Sequence, residues 1–266
     1  MLYTVLTLFP EISDAYFSSS IIAKAIERGQ VSYRAINIRN YALDKHRSCD
    51  DTPYGGGPGM LMLAEPLGRA LEFVLSGGEP RPTGSAEDTG CAGQLTKQAE
   101  KARVIYLSPS GKPFDQALAR ELTEEKELIL LCGRYEGIDQ RIIDTYVDDE
   151  ISVGDYVLSS GEVAALVLID ATYRLLERVI TPSSLEEESF DQGLLEYPQY
   201  TRPVKYASLM VPEVLLSGHH ENIRRWRLEK RIEKTLALRP DLIRHGEEHF
   251  LFSDEVRKII EEKRNE

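Results

Sequence analysis

The chain has no paired cysteines, no long apolar run and no surplus of positive charge, and each lack removes a class of protein. Its three cysteines, Cys49, Cys91 and Cys132, are scattered, form no C-x-x-C pair and are odd in number. A disulfide framework or a cysteine zinc site is therefore not expected. Hydrophobic residues make up 42% of the 266 positions, yet no run reaches membrane-spanning length, which reads as a soluble protein with no membrane partner. The opening residues, MLYTVLTLFP, carry no basic leader and no small-residue cleavage site, so they read as a first strand in a cytoplasmic protein. The formal net charge of −12 argues against coating DNA or other nucleic acid non-specifically. A specific nucleic-acid site needs a local basic patch.

What is there begins with a glycine cluster. Residues 53–60 read PYGGGPGM, with Gly55, Gly56, Gly57 and Gly59. Such a loop suits positive φ or the close approach of another group to the backbone. The familiar phosphate loops do not fit, because no Gly-Lys-Ser/Thr opens a helix and the preceding DKHRSCDDT is too polar for a buried strand. A surface turn is the plain alternative. Two aspartates, a Lys-His-Arg triplet and the apolar run after Gly59 favour a site.

Residues 2–9 and 31–38 read as strands, 21–28 as a helix stopped by Gly29, and 67–75 as a helix introduced by Pro66. From 76 to 100 the composition turns to Gly, Pro, Ser, Thr and Glu without periodicity, which reads as a mobile insertion. A strand at 104–107, an amphipathic helix at 114–126 and an apolar strand at 128–132 follow. This βαβ rhythm implies a parallel sheet, whose ligands sit beyond the carboxyl ends of the strands. Three loops occupy such ends: 107–111, GRYEGID at 133–139, and ISVGDYVLSSGE at 151–162. The last feeds a helix, 163–176, that is apolar nearly all round and so is buried in a core or against a partner chain.

The boundaries read as a domain over 1–180, a polar linker over 181–192 and a second domain over 193–266. In the second domain, a helix over 217–238 sets Leu228, Ile232 and Leu236 on one side. Arg224, Arg227, Lys230, Arg231 and Lys234 fall opposite, a face of nearly one sign and the best nucleic-acid patch in the chain. HGEEH at 245–249 matches an inverted zinc-protease motif, but Gly246 loosens the helix that the ligands need, so two exposed histidines and no metal are expected.

Glycine-bearing strand ends with few cations suit a ligand held through backbone groups, such as an adenosine-containing cofactor, better than a triphosphate. Asp50, Glu136, Asp139, Arg134 and Arg174 are the polar residues near these loops. Each alone reads as a structural ion pair; Arg174 lies four residues after Asp170 on one helix.

Together, PYGGGPGM, YLSPSG, LLCGRYEGID, ISVGDYVLSSGE and YTRPVKY, with SGHHENIRRWRLEKR, resemble the bacterial tRNA (guanine-N1)-methyltransferases, the TrmD family of the SPOUT class. The likeness spans nearly the whole chain, with 76–100 as an addition. It implies an α/β, parallel-sheet SPOUT domain with a deep C-terminal trefoil knot, plus a small, mostly α-helical C-terminal domain that helps hold tRNA. It also implies a homodimer with active sites between subunits and S-adenosylmethionine bent into the knot; magnesium is left open. Carried over by position, cofactor contacts fall on Tyr106, Leu107 and Pro109, on Gly133 and Tyr135, on Val153, Gly154, Asp155, Tyr156, Val157 and Leu158, and on Ser160 and Gly161. Substrate contacts fall on Asp50, Gly55, Gly59, Glu136 and Ser184, and on Arg224, Arg227 and Lys230.

The implied reaction methylates N1 of guanine 37 in the anticodon loop of tRNAs with guanine at 36. N1 is protonated at neutral pH, so a general base is needed, and the charge that develops on O6 needs a cation. The family's base position, an aspartate, holds Glu188 here, and its cation position holds Arg174. A second departure is Ser160, where the family has glycine and where positive φ would cost a serine. A ribose methyltransferase of the same class is disfavoured by GRYEGID and the linker carboxylate. A non-catalytic RNA-binding protein on this scaffold would bind cofactor without methyl transfer.

Overall fold

A computed structural model describes residues 1–78, 102–181 and 188–265. The insertion read at 76–100 lies outside the described residues from 79 onward, as do Cys91, Ser184 and residues 182–187 of the 181–192 linker. By compactness the chain separates into two units, Met1–Ile180 and Thr181–Glu266.

The first unit runs β1 (Leu2–Thr7), α1 (Pro10–Phe17), α2 (Ser20–Glu27), β2 (Ser32–Asn37), β3 (Asp50–Asp51), β4 (Leu61–Met62) and α3 (Ala64–Leu75), then β5 (Ala102–Pro113), α4 (Gln116–Leu122), β6 (Glu127–Leu131), α5 (Gln140–Tyr146), β7 (Asp149–Ser152) and α6 (Gly161–Tyr173). Its main sheet has the order β2-β1-β6-β5-β7, and every pairing is parallel. Leu128, Ile129, Leu130 and Leu131 are fully buried, as a strand covered on both faces requires. Alternation sends Leu128 and Leu130 to a core shared with α1, α2, α4 and α6. Ile129 and Leu131 join the opposite core with α3 and α5.

Several elements differ from the sequence reading for local reasons. The strand expected at 104–107 belongs to a longer one in which Ile151 faces both Leu107 and Lys112, so residues 108–111 are looped out between them. The helix expected at 114–126 starts only at Gln116, because Asp115 stands at its N-cap and accepts the Leu118 N–H at 2.8 Å. The polar stretch before the glycine cluster does contain a strand, a short one: Asp50 pairs with Met62 and Asp51 with Leu61, antiparallel. PYGGGPGM is thus a hairpin tip. The helix expected to be apolar all round leaves Val163 (47% exposed) and Val167 (44%) on an open face.

In the second unit, β8 (Lys205–Tyr206) and β9 (Leu209–Met210) form a hairpin, and α7 (His220–Leu238), α8 (Pro240–Glu248) and α9 (Asp254–Arg264) enclose a core of Leu194, Ile232, Ile243, Phe252, Val256 and Ile260. Gly246 is glycine for packing: a Cβ there would overlap the Phe252 ring. Among the described residues, no helix is long and apolar enough to cross a membrane, and no group of three or more metal-ligating side chains occurs.

Candidate active site

Two loops leave the carboxyl ends of strands, and a third segment is looped out of the strand between them. Residues 108–111 bulge from β5, residues 132–139 follow β6, and residues 153–160 follow β7. The backbones touch where they meet: the Gly161 N–H donates to Gly133 O at 2.8 Å. A Cβ on Gly161 would lie 2.7 Å from Gly133 N and 2.8 Å from the Cys132 Cα, a contact that no side chain tolerates. Cys132, fully buried below this contact, has its thiol pKa pushed up by burial, so it packs as an apolar group.

The glycine hairpin leans on the middle loop. Glu136 N–H donates to Met60 O (3.0 Å), Met62 N–H to Gly137 O (3.0 Å) and Asp139 N–H to Met62 O (3.2 Å). Gly59, at φ +87°, has no room for a side chain because the Glu136 side chain lies against it. Tyr135, at φ +58°, donates its hydroxyl to Asp50 Oδ1 at 3.2 Å. Burial and the Asp50 charge raise its pKa, and Arg39 works against them. The structure therefore brings Asp50, Gly59, Tyr135 and Glu136 into one place. Arg39 joins them, and sequence reasoning passed it over because it sits in a 3-10 turn, Ile38–Tyr41, far from any motif.

Other positions take plainer parts. Asp139 accepts the Arg141 N–H at the cap of α5 and pairs with the Arg141 guanidinium at 2.7 Å, which holds its carboxyl below the usual range. Tyr106 is 7% exposed and lies under Gly133 and Gly137, a strut beneath the loop. Leu107 is buried beside it, whereas Pro109, Asp155, Tyr156, Val157 and Leu158 face outward. Val157 is 87% exposed, unusual for an apolar side chain in a loop that is otherwise braced: Tyr156 donates its hydroxyl to Val153 O and its N–H to Gly154 O. Ser160 corrects an expectation. Its φ of −164° is extended backbone, which serine adopts without strain. Arg174 caps the far end of α6. Thirteen residues at about 1.5 Å each put it roughly 20 Å along the helix from Gly161, so one chain does not bring it to these loops.

In the second unit, Glu188 is half-buried at the start of a distorted turn. Phe190 (φ +71°) and Gln192 (φ +53°) are left-handed non-glycine residues, a conformation that costs about 1–2 kcal/mol each and persists only where the surroundings enforce it. Here Phe190 N–H donates to Leu194 O (2.8 Å), Glu196 N–H to Ser189 Oγ (3.1 Å), and Leu195 N–H to the buried Thr235 Oγ1 (2.9 Å).

The expected basic face of α7 needs two corrections. Arg231 is 4% exposed and reaches Leu195 O, and Lys234 donates to Glu196 O at 3.0 Å; both fasten the 194–196 segment. A helical wheel cannot show a segment that covers the helix. The face is also less one-signed than its cations suggest: Arg224 pairs with Glu221 (2.7 Å) and Glu255 (2.8 Å), and Lys230 with Glu233 (2.5 Å). The Arg227 guanidinium lies 4.8 Å over the Tyr197 ring. The His245 and His249 rings lie tilted against each other, 4.1 Å between centroids, and His249 Nδ1 bonds to His245 O.

Comparison with known proteins places this geometry in context. The sequence profile described as tRNA (Guanine-1)-methyltransferase TrmD matches residues 1–245. A protein of Treponema denticola named tRNA (guanine-N(1)-)-methyltransferase is 58% identical over 266 residues, covering 100% of both chains. Proteins of the same name from Treponema pallidum (53% identical; 97% of this chain, 94% of that one) and Borreliella burgdorferi (53%; 91% and 92%) are also similar.

Proposed function

Because the chain belongs to the tRNA (guanine-1)-methyltransferase family, we propose that it methylates N1 of guanine 37 in tRNAs with guanine at 36, using S-adenosylmethionine. The observation that carries this reading is the meeting of the glycine hairpin, the 132–139 loop and the start of α6: Tyr135 donates to Asp50, Glu136 N–H to Met60 O, and Gly161 N–H to Gly133 O. These loops offer backbone groups, the outward rings of Tyr135 and Tyr156 and the carboxylates of Glu136 and Asp155, without a lysine. That set fits a positively charged, adenosine-bearing cofactor and does not fit a triphosphate. When bound, S-adenosylmethionine supplies a methyl group activated by its charged sulfur. Magnesium has no assigned ligands in this proposal.

The chain's own residues handle the proton and the charge. Glu188 removes the N1 proton, and Arg174 stabilises the negative charge left on O6. Arg174 lies roughly 20 Å along α6 from Gly161, so it serves the loops of a second copy. The open apolar face of Val163 and Val167, with Val157, suits the homodimer this requires. A Cβ at Gly111 would overlap the backbone of Glu150 and Ile151, and one at Gly161 the backbone of Gly133 and Cys132; chain segments this close support reading the loop crossings as a trefoil knot. The second unit, with Arg224, Arg227 and Lys230, holds the tRNA. Methyl transfer from labelled cofactor, measured under single-turnover conditions with wild type and Glu188→Gln, tests the assignment. Turnover should fall about 10²–10⁴-fold with cofactor and tRNA still bound, and an unchanged rate would move the base elsewhere.

A further inference from the structure

We infer that Glu162 is a positioning residue that holds two of the three loops in register, acting through Thr7 and Arg134; the inference rests on the cofactor reading of those loops. Glu162 is in the first turn of α6, directly after the 153–160 loop, and its side chain is fully buried. Its Oε1 accepts the Thr7 hydroxyl at 2.5 Å, and Thr7 Oγ1 accepts the Phe9 N–H at 2.9 Å. Its Oε2 lies 3.0 Å from Arg134 Nε. Both of these atoms are buried and their alignment is poor for a directed hydrogen bond, so this is a contact of charges. The Arg134 guanidinium in turn sits 4.4 Å over the Phe9 ring. The four residues close a ring that ties the end of β1, the start of the 133–139 loop and the start of α6 together.

A buried carboxylate is an expensive way to fill space. Apolar side chains of similar volume generally serve stability as well or better, whereas removing one member of such a pair strands a charge. What the ring provides is geometry. Arg134 is fixed from one side by Glu162 and from the other by Phe9, one residue beyond the Gly133–Gly161 backbone contact. Glu162 sits one residue beyond it on the other chain segment. Displacing that contact shifts both loops against each other, and small misplacements at a reacting site cost far more than the contact itself.

The test uses the full-length chain. Thr7→Val removes the hydroxyl at nearly constant shape, Thr7→Ser restores it, and Arg134→Met with Glu162→Leu removes both charges together. S-adenosylmethionine affinity is read by calorimetry, and amide exchange is followed over 133–139 and 153–160. Thr7→Val and the double variant should weaken binding on the order of tenfold to a hundredfold, with faster exchange confined to those two loops, and Thr7→Ser should bind as the wild type. Folded variants that bind normally overturn the inference. If the variants do not fold, exchange in the wild type decides: amides at 133–139 must be protected like those of β6, and rapid exchange overturns it. A wild-type chain that binds no cofactor overturns the functional reading beneath, while a binding wild type with indifferent variants overturns only the positioning role.

Discussion

Gly161 lies in backbone contact with Gly133 (2.8 Å), so alanine there must push chain against chain. Gly161→Ala should lower stability by about 1–3 kcal/mol, as overpacking of a fitted interior does, and should weaken cofactor binding; a denaturant midpoint and a binding curve equal to wild type would contradict this. Ser160, one residue earlier, should behave in the opposite way. With φ at −164° it gains nothing from glycine, and Ser160→Gly should leave activity unimproved while costing about 0.5–1 kcal/mol through the unfolded chain's added freedom. Higher activity in the glycine variant would mean that the extended conformation is not the working one. The serine's place in the chain was legible from the sequence, and its backbone was not. A φ angle depends on the loop's path between β7 and α6, to which Gly133 contributes from a distant segment. Tyr106 teaches the same point: a residue in a motif can serve as the support beneath the site.

Between β5 and β7, Arg103 donates to Asp149 at 2.5 Å and Lys112 pairs with it at 2.6 Å. Burial alone raises the Asp149 carboxyl pKa, but the two cations more than offset it and hold the group below its ordinary value. A carboxyl depressed in the folded state contributes stability above its unfolded pKa, about 3.9, and loses that contribution as the pH falls through the folded value. Asp149→Asn should therefore flatten the acid limb of the stability curve below about pH 4, seen in denaturant midpoints from pH 6 down to 2.5; an unchanged limb would place the acid sensitivity elsewhere. At this scale the sequence was readable where apolar pattern dominated. Residues 128–132 announced a buried strand because both faces are covered. α5 and the strand Asp149–Ser152 escaped notice because they are short and polar at their edges, and their pairing partners are distant in sequence. On α7 the apolar stripe was found, while Arg231 was misplaced because only the fold reveals that residues 194–196 lie over it.

Considered as a whole, a chain of net charge −12 has to bind a polyanion through a limited set of cations. Each phosphate contact contributes a slope of about one to the salt dependence of binding. Arg227→Glu with Lys230→Glu should weaken tRNA binding and flatten that dependence, with S-adenosylmethionine binding unaltered. An identical salt profile would show that Lys230 serves only its pair with Glu233. The parallel sheet and the site loops were legible because βαβ rhythm and glycine-bearing strand ends are local signals. The strand order was not, since the placement of β7 beside β5 rests on contacts that no local pattern records. The measurement that bears most directly on the account is methyl transfer by the wild-type chain to an unmodified tRNA transcript with guanine at 36 and 37. The account predicts incorporation at N1 of guanine 37 and none when that base is replaced. Cofactor and tRNA binding without transfer, or transfer that survives the replacement, would contradict it.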